Sequence, residues 1–287
     1  MPRRLLCTLP LLLAACAADE GAYYARLETD LRSAGFMRTE TAPRDAAFTN
    51  ADLVRHFERV ALFSEYGREN DRFVQRREQT ILSKWQDPIR IRLVFGESVP
   101  EPQRLVDHAQ VASFVSRLAR LSGLEMRVLT PQSRESSNFV IIYANRPERR
   151  EIAAQLAATS EDPDPAFINS LSNSPTNEIC YVNTFWHPEE RGRFAFAVTV
   201  IKSETAGLMR LACVHEELSQ ALGLGNDDDE VRPSIFNDDE EFALLTEHDE
   251  YLLRMLYDDR LRPGMTAEEV RPLLPAIIAD IRAETGS

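Results

Sequence analysis

The sequence predicts an α+β fold, a mixed sheet with helices packed on it. Three observations carry this reading. Between residues 89 and 143 apolar residues alternate or run without a break, which is strand patterning. These runs are separated by segments whose apolar residues recur every three or four positions, which is helical patterning. After about residue 205 only helical segments remain. The chain has 287 residues, 44% of them hydrophobic, with 11 Gly and 16 Pro, so it can bury a sizeable core and is neither fibrous nor disordered.

The elements follow in order. Thr49-Asn50-Ala51-Asp52 is a helix start, with a capping side chain and an acid in the first turn. Leu53, Phe57, Val60 and Ala61 then share one helical face. A second helix is expected from Asp71 to Trp85, and Asp87-Pro88 ends it. Ile89 to Phe95 alternates as a half-buried strand. Leu105 to Leu121 is an amphipathic helix, and Met126 to Leu129 a short strand. Asn138 to Tyr143 is a continuous apolar strand, which suits a central position. Residues 146–173 read as helical, broken at Asp162-Pro163-Asp164-Pro165. Ile179 to Trp186 and Phe194 to Ile201 are strands spaced as a hairpin or as antiparallel neighbours. A helix from about Thr205 is stopped by Gly223 and Gly225. Further helices start near Leu245 and after the turn Pro263-Gly264-Met265-Thr266.

Charge and the amino terminus narrow the function classes. Lys and Arg number 33 against 46 Asp and Glu, a net charge of −13, which opposes binding to nucleic acid or to anionic lipid. No run of about 20 apolar residues offers an ordinary transmembrane helix. Met1-Pro2-Arg3-Arg4 followed by the short apolar run Leu5 to Ala15 has the grammar of an export signal. Its end, Leu13-Ala14-Ala15-Cys16, resembles the lipobox of bacterial lipoproteins, which implies lipidation at Cys16. The rival reading is cleavage after Ala18 with Cys16 lost. Ala17 after the cysteine implies, by the rules of that family, the outer membrane and a periplasm-facing protein in the cell envelope. The expected organisation is a signal peptide over 1–15, a tether with some helix over 16–48, a helical segment over 49–87 packed on the main domain, and the main domain over 88–287. Cys180 and Cys213 remain. In an oxidising compartment they read as a disulfide closing a loop of about 30 residues, worth ~3–4 kcal/mol. Two buried thiols are the alternative.

The informative stretch runs from Cys213 to Asp227. His215-Glu216 invites the zinc motif HExxH, but its second His would fall on Ser219. His215 also shares a stripe with Leu208, Leu211, Leu218 and Leu222, as a core histidine would. One residue later the frame fits. Glu216-Glu217-x-x-Gln220-x-x-Gly223-x-x-Asn226 has the spacing of HExxHxxGxxH and resembles the metzincin signature. Arg232-Pro233-Ser234-Ile235-Phe236-Asn237 resembles the Met-turn, with Phe236 in the Met position. Leu245-Thr246-Glu247-His248-Asp249 resembles the helix after it. The resemblance covers about 88–258 and implies a zincin (metzincin)-like sheet with a motif helix and carboxy-terminal helices. The chain also resembles an uncharacterised bacterial family of putative lipoproteins, a domain of unknown function marked by EExxQALGLxND, which implies no activity.

What the resemblance implies for chemistry is limited by substitution. The positions equivalent to the zinc ligands hold Glu216, Gln220 and Asn226, one carboxylate and two weak amides. Only the general base, Glu217, keeps its type. No cofactor is therefore expected, and the domain reads as a pseudo-peptidase. The reading is a binding module for a peptide or cell-envelope protein, held along the edge strand, with Phe194 to Ile201 as the candidate edge. The alternative is a metal-dependent hydrolase. It would use Glu217 with Ca²⁺, Mg²⁺ or Mn²⁺ on the oxygens of Glu216, Gln220, Asn226 and Asp227. The acidic runs 227–230 and 238–241 support it slightly, although they also read as solvated loops. A hydrolase using His187 or His248 beside Glu217 is a third reading.

Overall fold

The computed structural model describes residues 11–69, 72–237 and 239–286. The basic start of the expected signal peptide, and the side chain of Cys16, lie outside the described residues. Nine helices and seven strands are described. In chain order α1 spans Leu11–Ser33, α2 Asn50–Ala61, β1 Phe63–Glu69, β2 Arg72–Gln79 and β3 Ile89–Phe95. Next come α3 Glu101–Ser122, β4 Met126–Val128, β5 Phe139–Ala144, α4 Arg146–Thr159 and α5 Pro165–Asn173. The chain continues with β6 Cys180–His187, β7 Glu190–Lys202, α6 Gly207–Gln220, α7 Glu247–Leu256, α8 Ala267–Val270 and α9 Leu274–Thr285. None of the described helices is long and apolar enough to cross a membrane.

The architecture is α+β. The main sheet has the order β4-β3-β5-β7-β6. The first four strands in that order are mutually parallel, and β6 runs antiparallel to β7 at the edge. β5 is central because its residues bury on both faces. Ile141 and Tyr143 enter the larger core, while Ile142 and Ala144 pack under α4 and α5. The larger core gathers α2, α3, α6, α7 and α9 on the opposite face, with Trp85 donating its indole N–H to the Ala221 carbonyl at 2.8 Å.

Three expectations need correction. Of the helix expected over Asp71–Trp85, the described residues 72–85 are not helical. Residues 63–69 and 72–79 form the hairpin β1–β2, and residues 82–86 run extended beside the start of β7. The β2 residues are mostly polar and exposed, so no apolar stripe favours a helix there. Backbone bonds from Lys84 to Gly192 and from Phe194 to Lys84 hold the following segment extended. The stretch 16–48, expected as a tether with some helix, is more helical than that. Most of it is α1, whose Tyr24 is buried and packs with Met209 and Ala212. Finally, β7 is not the edge strand. It lies between β5 and β6, with 197–202 fully covered, so the edge is Cys180–His187.

Candidate functional site

The motif helix α6 is buried along most of its length, and His215, Glu216, Glu217 and Gln220 each have a distinct place on it. His215 is a core residue. Its Nδ1 accepts the Leu245 backbone N–H at 3.0 Å, and its ring stacks on Phe114 at 3.9 Å between centroids. Burial pushes its pKa down to about 3, so the ring stays neutral. Glu217 is buried and Glu216 half-buried. One carboxylate oxygen of each and the Cys180 Sγ all lie within 4.8 Å of one another. Cys180 is bonded to Cys213, as expected, so its sulfur is not a thiolate. The bridge ties the first residue of the edge strand to the motif helix.

The two amides are engaged within the fold. Gln220 Nε2 donates to both carboxylate oxygens of Asp227, at 3.0 and 3.1 Å. Asn226 is 1% exposed, and its Nδ2 donates to the carbonyls of Arg59 and Asp227, both at 2.9 Å. Its backbone N–H donates to Val60, so Asn226 fastens the motif loop to the end of α2. This donor set does not fit a zinc ion, which wants imidazole, thiolate or carboxylate at these positions. Gly223 is required by geometry. Its φ is +120°, and a Cβ there would lie 2.0 Å from the Ser83 carbonyl oxygen.

Around the motif, the Met-turn equivalent is organised by a buried carboxylate. Phe236 is fully buried, and its N–H donates to Ser234 Oγ. Ser234 Oγ donates in turn to Asp249, which also accepts from Ile235 N–H and from Thr246 N–H and Oγ. His248 is fully buried and meets His56 of α2, Nε2 to Nδ1, at 2.9 Å. Burial first, and His248 second, push the His56 pKa down to about 4. The acidic loops are matched by arginines. Asp228 pairs with Arg59 and Arg77, and Glu241 with Arg38 and Arg232.

A cleft of about 740 Å³ opens beside the motif. Its walls are β6, the α5 face carrying Ala166, Asn169, Ser170 and Asn173, and the hairpin residues Phe63, Ser64 and Phe73. Gln220, Gly223 and Gly225 close the end at the motif helix. The acidic loops and the described histidines are not among its lining residues, which separates His187 and His248 from it. Along β6 the outer edge makes no backbone hydrogen bond to another described segment. Sequence reasoning missed the α5 wall, the hairpin wall and Asn183 of β6. The one signal for the last was an amide inside an otherwise apolar strand.

A search of curated proteins finds no match. The family described as "Protein of unknown function (DUF2927)" matches residues 50–276, from the first turn of α2 into α9. The chain belongs to that family.

Proposed function

We propose that this chain is a cell-envelope lipoprotein whose domain is a catalytically degenerate relative of the metzincins, binding an extended peptide or envelope protein without cleaving it. The observation that carries the reading is the outer edge of β6, which pairs with no other described strand, beside a cleft that ends at the motif helix. An exposed edge strand offers a row of N–H and C=O groups, and a peptide completes it by strand addition. The strand order, with four parallel strands and an antiparallel edge strand beside a helix carrying Glu216-Glu217-x-x-Gln220-x-x-Gly223, supports the zincin likeness. The engagement of Gln220 and Asn226 in internal hydrogen bonds supports the loss of a metal site.

The alternative, a hydrolase using Glu217 with an oxygen-bound divalent ion, is favoured by the closeness of Glu216 and Glu217. One experiment separates the two. Purified protein is analysed for bound metal, then assayed for peptidase activity with and without added divalent ions, beside Glu217→Ala. Stoichiometric metal with activity lost in the variant sinks the binding reading. For the anchor, Cys16→Ser should release the protein from the membrane fraction, and unchanged fractionation rejects lipidation.

A further inference from the structure

The face of α6 that meets β6 carries donors that the motif spacing does not use. Glu216 and Glu217 lie three and four residues beyond Cys213, so all three share a helical face. Cys180, the first residue of β6, meets that face through the bridge, with the Cα atoms of the two cysteines 5.9 Å apart. The Cys180 sulfur and one oxygen of each carboxylate lie within 4.8 Å of one another. The Cys213 sulfur, bonded to that of Cys180, is a fourth donor at the same place. Donor atoms around a tetrahedral zinc ion sit about 3.3–3.8 Å apart, given bonds of about 2.0–2.3 Å. Side-chain rotations close a difference of that size.

In the oxidised protein the two sulfurs are bonded to each other, and neither is a thiolate. Reduction changes the donor set. Cys180 is half-buried and Cys213 is 3% exposed, so the Cys180 sulfur is the one a reductant reaches. A dithiol reductant forms a mixed disulfide with Cys180 and releases Cys213 as a thiolate, which takes up a proton. The second sulfur of the reductant then displaces Cys180. The reductant leaves as a disulfide, and its two electrons and two protons remain on the cysteines as two thiols. Two thiols and two carboxylates then converge from a strand and a helix. Thiolate is the soft ligand that Gln220 and Asn226 do not supply, and it selects zinc over calcium or magnesium. Negative donors this close repel one another, and a dication between them relieves the repulsion.

We propose that reduction of the Cys180–Cys213 bridge creates a structural zinc site, the ion held by both thiolates and by Glu216 and Glu217. Zinc displaces the two thiol protons to solvent. The ion ties β6 to α6 in place of the covalent bond. The site uses neither Gln220 nor Asn226, and it goes beyond the binding reading above without resting on it.

The test treats the purified protein with zinc, with and without a phosphine reductant, and removes free metal by gel filtration. Retained zinc is counted by elemental analysis, and circular dichroism reports the fold. The reduced protein should keep one zinc per chain and the oxidised protein none. Zinc should raise the thermal midpoint of the reduced protein only. Cobalt in its place should give a sulfur-to-metal charge-transfer band, and X-ray absorption should show zinc–sulfur bonds of about 2.3 Å. Cys180→Ser with Cys213→Ser should abolish retention. Glu216→Gln with Glu217→Gln should weaken zinc about a hundredfold in competition with a chromophoric chelator.

Zinc retained equally with and without reductant overturns the proposal and points to the oxygen-ligand site of the hydrolase alternative. A folded reduced protein that keeps no zinc overturns it, and so does a reduced protein that zinc leaves unfolded. Unchanged affinity in the glutamine variant overturns it too, since two thiols then bind alone. Where that variant does not fold, X-ray absorption of the wild type decides instead, by showing two sulfur and two oxygen neighbours or failing to.

Discussion

Acidification should unfold this protein through histidines that the fold keeps neutral. His215 is the clearest case, with its pKa pushed to about 3 by burial against an ordinary value of 6.5. Its Nδ1 lone pair is also committed to the Leu245 N–H. Below pH 6.5 the unfolded chain takes up a proton that the folded chain refuses, so stability present above 6.5 is lost as pH falls towards 3. Between pH 7 and pH 5 this group alone removes about 2 kcal/mol. His56, pushed to about 4 and buried against His248, removes about 2 kcal/mol more over the same interval. The sum is a large fraction of the roughly 5–15 kcal/mol that stabilises a typical domain. The assay is urea unfolding at both pH values for wild type and His215→Asn, whose Oδ1 can still accept from Leu245. The variant should lose about 2 kcal/mol less than wild type between the two pH values, whatever its absolute stability. Equal losses in the two proteins refute the reasoning.

Other outcomes follow from single contacts. Replacing Cys180 and Cys213 by alanine opens a bridge between residues 33 apart and should cost about 4 kcal/mol in the chain-entropy model, read as a lower urea midpoint; no change would show that the bridge constrains little. Gly223→Ala places a Cβ against the Ser83 carbonyl at positive φ and should cost roughly 2–5 kcal/mol; a loss under about 1 kcal/mol contradicts the geometry. Arg210 and Asp107 form a buried bidentate pair at 2.8 and 2.6 Å. Arg210→Met should cost roughly 3–5 kcal/mol, and adding Asp107→Leu should restore much of it in a double-mutant cycle. Asn226→Leu removes two hydrogen bonds from a buried amide to part-buried carbonyls and should cost roughly 2–3 kcal/mol in thermal or urea unfolding.

What could be read in the sequence was whatever depends on neighbours along the chain. The Thr49–Asp52 cap and the continuous apolar run of β5 announce themselves locally. His215 sits on an apolar stripe, and the structure places it in the core. The Cys180–Cys213 pairing followed from the export-signal grammar and the small number of cysteines. What failed depends on distant partners. The segment 72–79 carries no periodic apolar face, and its strand state is held by its pairing and by the extended chain that follows. The order of β6 and β7 was invisible because both are apolar. The burial of 197–202 on both faces, against the half-buried β6, decides it. The motif spacing was legible, yet the occupation of Gln220 by Asp227 and of Asn226 by Arg59 was not. Arg59 lies on α2, far away in the chain.

The packing of α1 has a mechanical meaning. Tyr24 is wedged beside Met209 and Ala212, its hydroxyl donates to Thr176, and Glu20 accepts from Arg146. These contacts reach the start of α6, the start of α4 and the segment leading into β6. Whatever is joined to the chain ahead of Glu20 is thus carried on a packed helix and not on a leash. A pull on it is felt at the segment leading into β6, whose Ser174, Pro175 and Glu178 line the cleft.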